Sequence, residues 1–205
     1  MFWIALAAQI SMPALKKGYI LGVFTADDVP IRMVPEGAWR RVGVRVTVDA
    51  EGKIQSCEIE STSGNPQLDS YTCAIIRKRA KPQPARWTDG TPTYAVIRTV
   101  VSYSVNATVP PESGDIELTV NQLPQGLKSP AFAQVMFAVD EKGHPSFCSE
   151  EGRIWKPLAD KAPELIKIAC DQIMKNWVPK PARDLSGKPV RSIQDARIKF
   201  IVDRR

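Results

Sequence analysis

The sequence predicts an α+β protein made of two tandem ββαβ units, each a three-stranded antiparallel sheet with a helix packed on one face. The first observation is a repeated motif, since VDAEGKIQSC at residues 48–57 has a near-copy, VDEKGHPSFC, at residues 139–148. The second is that each copy is followed, in the same order, by another cysteine, by Pro-Ala-Arg and by Gly-x-Pro. Landmarks that recur in one order are typical of a duplicated domain. We therefore expect one unit at residues 20–106, a linker at 107–130 and a second unit at 131–205.

Alternating apolar residues identify the strands. Residues 42–48 read VGVRVTV, which places valines on one side and glycine, arginine and threonine on the other, a pattern typical of a half-buried strand. The Asp-x-x-Gly that follows predicts a tight turn in both copies, because Gly52 and Gly143 can adopt a positive φ. Residues 97–105 and 196–202 alternate in the same way and predict the last strand of each unit.

Helix signals lie between the second and third strands of each unit. Residues 64–80 read GNPQLDSYTCAIIRKRA, in which Asn65 predicts the N-cap, Pro66 suits the first helical position and apolar residues form a stripe. The second helix is expected to begin near Pro163, with Trp177 on its apolar face. These helices complete the two ββαβ units.

The cysteines indicate the compartment. There are four, with no C-x-x-C spacing, which argues against zinc knuckles and thioredoxin-type chemistry. Within each unit one cysteine follows the turn and the other lies on or beside the inner stripe of the helix, so we expect the pairs Cys57–Cys73 and Cys148–Cys170. Four buried free thiols are the alternative. A bridge of this loop size contributes about 3 kcal/mol, and two bridges indicate an oxidising compartment.

Composition and motifs argue against several function classes. The net charge of +6 is modest and the basic residues are mostly scattered, so we expect no nucleic-acid partner. The single histidine, His144, falls in a predicted turn where the first unit has Lys53, so a solvated turn residue is favoured over a catalytic or metal site. No nucleophile-elbow, P-loop or dinucleotide motif occurs. We expect no enzymatic activity, no catalytic residues, no metal and no cofactor.

The amino terminus resembles an export signal of an atypical kind. Residues 2–10 form an uncharged apolar run and small residues follow it, but a basic n-region is lacking. The run is shorter than the roughly 20 apolar residues that cross a bilayer, and no other segment of the sequence could do so. We expect residues 1–14 to be a signal peptide. A buried N-terminal strand or helix is the alternative.

A series of motifs in the first unit resembles the C-terminal domain of TonB-family energy transducers over about residues 40–106. The elements that carry the resemblance are Val48–Gly52, Ser61–Gly64, Leu68 and Asp69, Arg77–Arg79, Pro84 and Ala85, and Gly90–Pro92. The second unit, about 131–203, resembles a degenerate copy that lacks the Ser-Ser-Gly and Leu-Asp elements. The membrane helix and the long Pro-rich spacer of that family are not found in this sequence. The resemblance therefore implies the fold and a binding mode, without energy transduction by this chain alone.

The resemblance also implies a binding edge in the periplasm. In that family an extended peptide of an outer-membrane receptor pairs with the last strand of the sheet, a mode in which main-chain hydrogen bonds supply affinity. Here the edge would comprise Arg98, Thr99, Val100, Val101, Ser102, Tyr103 and Ser104. Residues 196–202 would be the corresponding edge of the second unit. The expected partner is a receptor peptide or another envelope protein, in TonB-dependent transport.

Two further interpretations stay open. The same edges could pair chain to chain, which would make the protein a self-associating envelope component and a homodimer. An envelope hydrolase or redox enzyme is the remote alternative from another class. A cluster of basic residues could also bind an anionic envelope partner, although cations at a helix C-terminus are favoured by the helix dipole in any case. This cluster comprises Arg77, Lys78, Arg79 and Lys81.

Overall fold

The computed structural model describes residues 23–87, 89–110, 114–150 and 162–203. Within these ranges the protein is a mixed α+β structure with two helices and one large sheet. The predicted export signal, residues 1–14, lies outside the described residues. In the same ranges, no helix combines the length and the apolar character that crossing a membrane requires.

A 3-10 turn at Ala26–Asp28 precedes the first strand. The regular elements of the first half are β1 (Trp39–Val48), β2 (Ile54–Ser61), α1 (Pro66–Arg79), β3 (Ala85–Arg86) and β4 (Pro92–Ser104). The Asn65 side chain accepts hydrogen bonds from the N–H groups of Gln67 and Leu68, which confirms the predicted cap of α1.

The second half follows the same order after one additional strand, except that its last strand is divided in two. Its elements are β5 (Ile116–Val120), β6 (Ala131–Val139), β7 (Pro145–Glu150), α2 (Pro163–Asn176), β8 (Ala182–Arg183), β9 (Pro189–Val190) and β10 (Ser192–Val202). The predicted start of α2 at Pro163 is confirmed. The segment expected to be a linker, residues 107–130, contributes β5, which pairs in parallel with β10.

The strands of both halves join in one eight-stranded sheet, except for β8 and β9, which pair with each other, whereas the sequence predicts two separate three-stranded sheets. The main order is β2-β1-β4-β10-β6-β7, with β3 paired to β4 and β5 paired to β10. The junction is a short parallel pairing between Tyr94–Val96 of β4 and Ser192–Gln194 of β10. The last strand of a three-stranded sheet leaves a row of N–H and C=O groups free, and pairing two such edges satisfies these groups over the length of the pairing.

The two helices lie on opposite faces of this sheet. Ile193 pairs with Ala95 and belongs to the hydrophobic core that α1 covers. The next residue, Gln194, points to the other face, where its pairing partner Phe137 belongs to the core that α2 covers. Met136 of β6 also packs into the first core, so the second half contributes residues to the core of the first half.

The two halves have the same strand register. Val48, the last residue before the first turn, pairs with Ala95, and Val139, the last before the second turn, pairs with Ser192. Ala95 and Ser192 each lie three residues after the proline of Gly-x-Pro. Both hairpins therefore close onto the last strand at the same point.

The Asp-x-x-Gly turns have the predicted geometry. Asp49 Oδ1 accepts hydrogen bonds from the N–H groups of Glu51 and Lys53, and Asp140 Oδ1 makes the two corresponding bonds in the second turn. Gly52 has a φ of 82°, and a Cβ there would lie 3.0 Å from the carbonyl oxygen of Pro82. Glycine is needed at this position for its conformation and for the close approach of the backbone.

The first strand is buried on both faces, which corrects the half-buried strand expected from its alternation. Its valines face the first core, but Arg45 and Thr47 on the opposite face are only 2% and 1% exposed. The chain that follows α2 covers this second face, as the contacts of Arg45 show below. Alternation along one strand identifies the core face, but it cannot show that a distant segment covers the other face.

Candidate functional site

The predicted binding edge, Arg98–Ser104, lies in β4. Along one side β4 pairs with β1 over the whole of this segment. On its other side β10 pairs only as far as Val96. Beyond Val96, no strand in the described part of the chain pairs with that side of β4. The start of β4 is therefore closed by the second half, and the predicted segment beyond it is flanked by a strand on one side only.

Two hydrogen bonds show which N–H groups point away from β1. The N–H of Val105 donates to the carbonyl of Ala38 at 3.2 Å, on the side of β1. The N–H of Arg98 donates to Asp195 Oδ1 at 3.1 Å, on the opposite side. Because N–H groups alternate along a strand, those of Val100, Ser102 and Ser104 point outward with that of Arg98. This set can donate to an added strand.

The side chains of the same segment hold it firmly in place. Val101 and Tyr103 are each 3% exposed and belong to the first core, whereas Ser102 is exposed. The Tyr103 hydroxyl lies 2.9 Å from Thr72 Oγ1, and its ring meets Phe24 edge to face at 6.1 Å. Burial raises the pKa of Tyr103 to about 12. An added strand would thus meet a preorganised edge, which reduces the entropy lost on binding.

Two carboxylates, one buried and one exposed, lie where β4 and β10 separate. Asp195, which is 2% exposed, accepts the Arg98 N–H and a second bond from Gln134 Nε2 at 2.7 Å. Burial raises its pKa to about 6. Asp115, an exposed residue, accepts the N–H of Arg197 through its Oδ2 at 2.7 Å. Where β4 and β10 separate, each of these carboxylates takes the place of a neighbouring strand. Asp195 accepts the N–H of Arg98 in β4, and Asp115 accepts the N–H of Arg197 in β10.

A buried arginine attaches the second half to the back of the first half. Arg45 Nη2 donates to the carbonyl of Lys180 at 2.8 Å, and Arg45 Nη1 lies 3.5 Å from Glu58. Burial, and then the neighbouring charge of Arg98, lower the pKa of Arg45. Lys180 Nζ in turn lies 2.6 Å from Glu58. Sequence reasoning missed this cluster, although an arginine among valines is a signal that could have revealed it.

Trp177 lies between Arg98 of β4 and the second core. Its ring lies 5.4 Å from that of Phe137, which agrees with the expected place on the apolar side of α2. The Arg98 guanidinium lies 5.0 Å from the Trp177 ring centroid. The Arg98 side chain, which is 9% exposed, is thus partly covered by the second half.

The structure contains both expected disulfides. Cys57–Cys73 joins β2 to α1 with a Cα–Cα distance of 5.7 Å, and Cys148–Cys170 joins β7 to α2 at 5.5 Å. No free cysteine is found, and these four are all the cysteines in the sequence. Each bridge ties the helix of one half to the outermost strand of that half.

The Ser-Thr-Ser-Gly and Leu-Asp elements interact with one another. Asp69, in the first turn of α1, accepts hydrogen bonds from Thr62 Oγ1 at 2.5 Å and from the N–H of Ser63 at 2.9 Å. The loop held in this way lines an open depression of about 540 Å³ together with residues 37–41. The contact explains why the two elements occur together in the first half and are both missing from the second.

The basic cluster is partly occupied by internal contacts. Arg79 Nη1 lies 2.5 Å from Asp28 Oδ2, and this interaction lowers the pKa of Asp28 to about 2. Arg77 Nη2 donates to the carbonyl of Cys57 at 3.2 Å. Lys78 and Lys81 are exposed. Arg77 thus attaches the C-terminal end of α1 to β2, and Arg79 attaches it to the turn that contains Asp28.

The described residues offer no metal-binding group of three or more His, Cys, Asp or Glu side chains. His144 Nδ1 lies 3.1 Å from Asp140 Oδ2 within the second turn, and the His144 side chain is 73% exposed. This is the exposed turn position that the sequence favours.

Comparison with known proteins identifies one family. Residues 36–105, which run from just before β1 to the end of β4, match the model of the family described as Gram-negative bacterial TonB protein C-terminal. The match covers less than half of the chain and ends before β5. No curated protein and no solved structure gives a significant match. The family match therefore agrees with the resemblance in the first half and does not extend to the second.

Proposed function

We propose, from the match of residues 36–105, that this chain is a non-catalytic periplasmic binding module that takes up an extended peptide by β-strand addition at the outer side of β4. The partner would be a peptide of an outer-membrane receptor or of another envelope protein, in TonB-dependent transport. The observation that carries this proposal is the one-sided pairing of β4 beyond Val96, with the N–H groups of Val100, Ser102 and Ser104 directed outward. In strand addition such groups supply affinity, and alternate side-chain contacts supply specificity.

We also propose that the second half is a degenerate copy of the first. The sheet order is palindromic when β2, β1 and β4 are matched with β7, β6 and β10. The shared register, the two matching Asp-centred turns and the two helix-to-strand disulfides support the same origin. The bridges further support an oxidising compartment such as the periplasm.

A pair of adjacent proline substitutions tests the binding edge. Ser102→Pro removes an N–H that points away from β1, so we expect partner affinity to fall about tenfold or more with little change in melting temperature. Val101→Pro removes an N–H on the β1 side and should lower the melting temperature instead. Ser102→Ala keeps the N–H and should bind normally. The partner is first identified by crosslinking in the periplasm and mass spectrometry, and affinity is then measured with its purified peptide.

The same variants distinguish self-association from partner binding. A homodimer in light scattering that dissociates in Ser102→Pro would show that the edge pairs chain to chain. If neither Ser102→Pro nor Ser104→Pro changes the affinity for the identified partner, β4 is not the site. The exposed Lys78 and Lys81 would then be the next positions to substitute.

A further inference from the structure

The second half has its own strand at the edge that corresponds to the candidate site. β10 pairs with β4 only through Gln194, and from Ile198 to Val202 the same side of β10 pairs in parallel with β5. The common register of the two halves matches Ile198–Val202 with Val101–Val105 of the first half. The apolar residues match as well, since Ile198, Phe200 and Val202 correspond to Val101, Tyr103 and Val105.

The N–H groups of β10 are directed toward β5 as those of β4 are directed outward. The N–H of Arg197 donates to Asp115 Oδ2 at 2.7 Å, and the N–H of Asp203 donates to the carbonyl of Val120 at 3.1 Å. By alternation, the N–H groups of Lys199 and Ile201 face β5 too. Under the common register they correspond to those of Ser102 and Ser104, the groups proposed to bind a peptide.

Side chains of β5 complete the docking. Its alternate residues Ile116, Leu118 and Val120 are half-buried against the second core, whereas Glu117 and Thr119 are exposed. Glu117 also forms an ion pair with Lys199 at 2.6 Å. An apolar residue at every second position is the pattern that strand addition reads through side-chain contacts.

A glycine permits the close approach at the start of β5. A Cβ at Gly114 would lie 2.8 Å from the backbone nitrogen of Lys199 and 2.8 Å from the carbonyl oxygen of Ile116. Contacts this short with backbone atoms cannot be relieved by a side-chain rotation, so a larger residue must displace the strand.

We infer that β5 is an intramolecular ligand that occupies the strand-addition edge of the second half. The chain then presents one edge for an extended peptide, that of β4, and holds a second edge closed with its own segment. Release of β5 would create a site on β10 for a parallel peptide with apolar residues at alternate positions. The inference deepens the proposed function, on which it rests for the role of the β4 edge.

The test supplies β5 as a separate peptide to the full-length chain. The probe is a labelled synthetic peptide of residues 114–122, GDIELTVNQ, and both proteins compared carry Ser102→Pro so that β4 cannot bind it. Leu118→Pro removes a β5 N–H on the β10 side together with an apolar contact. The adjacent Thr119→Pro removes an N–H that faces away from β10 and is the matched control. We expect the peptide to bind the Leu118→Pro variant about tenfold or more tightly than the Thr119→Pro control, by fluorescence anisotropy.

A second peptide and a milder variant complete the design. GDEITLVNQ moves two apolar residues to the opposite face and should bind weakly, because a one-residue shift reverses the faces of a strand. Gly114→Ala should speed amide exchange at Lys199 and Ile201 about tenfold or more. The amides of Ile198 and Phe200, whose N–H groups face β6, should stay protected. This exchange measurement decides the question if Leu118→Pro does not fold. Equal binding by folded Leu118→Pro and Thr119→Pro, or unchanged exchange in Gly114→Ala, would overturn the inference without affecting the proposal for β4.

Discussion

At the scale of single residues, Asp195 shows how the junction of the two halves is built. It replaces a strand partner for Arg98 where β10 leaves β4, and it occupies the position in the second half that corresponds to Arg98 in the first. Burial raises its pKa from 3.8 to about 6. The folded chain therefore binds this proton more tightly than the unfolded chain does, and the stability gained from the proton is lost as pH rises from about 4 through 6.

Asp195→Asn should remove this pH dependence. The amide keeps an acceptor for the Arg98 N–H but carries no charge, so the stability of the variant relative to wild type should rise between pH 4 and pH 7 by about 3 kcal/mol at most. Urea unfolding at several pH values measures the difference. Asp28, whose pKa is lowered to about 2, titrates mainly below this window. A stability difference that stays constant from pH 4 to pH 7 would contradict the prediction.

At the scale of elements, the disulfides secure the two ends of the sheet. β2 and β7 are the terminal strands of the main sheet order, so each has a sheet neighbour on one side only. Cys57–Cys73 and Cys148–Cys170 tie these strands to α1 and α2, with sequence separations of 16 and 22. The end strands of the main sheet order are thus the ones that are linked covalently to the helices.

Removal of either bridge should cost a similar amount of stability. Because the two loops are of similar length, replacing both cysteines of one bridge by alanine should lower the free energy of unfolding by about 3 kcal/mol in either half. Urea unfolding of the two double variants measures this cost. The wild type should also resist alkylation until it is reduced. If the loss is below about 1 kcal/mol for one bridge only, the stability of that half does not depend on its disulfide.

At the scale of the whole molecule, the contacts between the two halves are too extensive for the halves to behave as independent domains. They share one sheet through Tyr94–Val96, and Met136 of the second half packs in the first core. Arg45 fastens the chain after α2 to the back of β1. By the common strand register, Met136 of the second half corresponds to Arg45, so an apolar residue of similar length occupies the equivalent strand position there.

The protein should therefore unfold in a single cooperative transition. Arg45→Ala should lower the stability of the whole chain by about 3 kcal/mol, since it removes one of the two side-chain donors to the Lys180 carbonyl, the other being Gln194, and opens a cavity. Arg45→Met fills more of the space and should cost less. Calorimetry, with the ratio of calorimetric to van't Hoff enthalpy, measures both effects. Two resolved transitions in the wild type would show instead that the halves unfold independently.

Much of the local structure could be predicted because it depends on neighbours in the sequence. Alternating valines identified β1, the Asp-x-x-Gly motifs identified both turns, and Asn65 with Pro66 identified the start of α1. The cysteine pairs followed from the same local arrangement, because each pair joins adjacent elements of one half. The position of the candidate edge in β4 could also be predicted, since the last alternating run of the first unit forms the last strand of that unit.

Only the tertiary structure decided how the halves meet. Periodicity shows which side of a strand faces a core, but edge pairing depends on which unpaired backbone groups come together across a long sequence separation. The chain alone therefore did not reveal that β10 closes the start of β4, that β5 closes β10, or that Arg45 is buried beneath the second half. The structure within each unit is determined by residues that are close in the sequence. Which edge remains for a partner is determined by the assembled sheet.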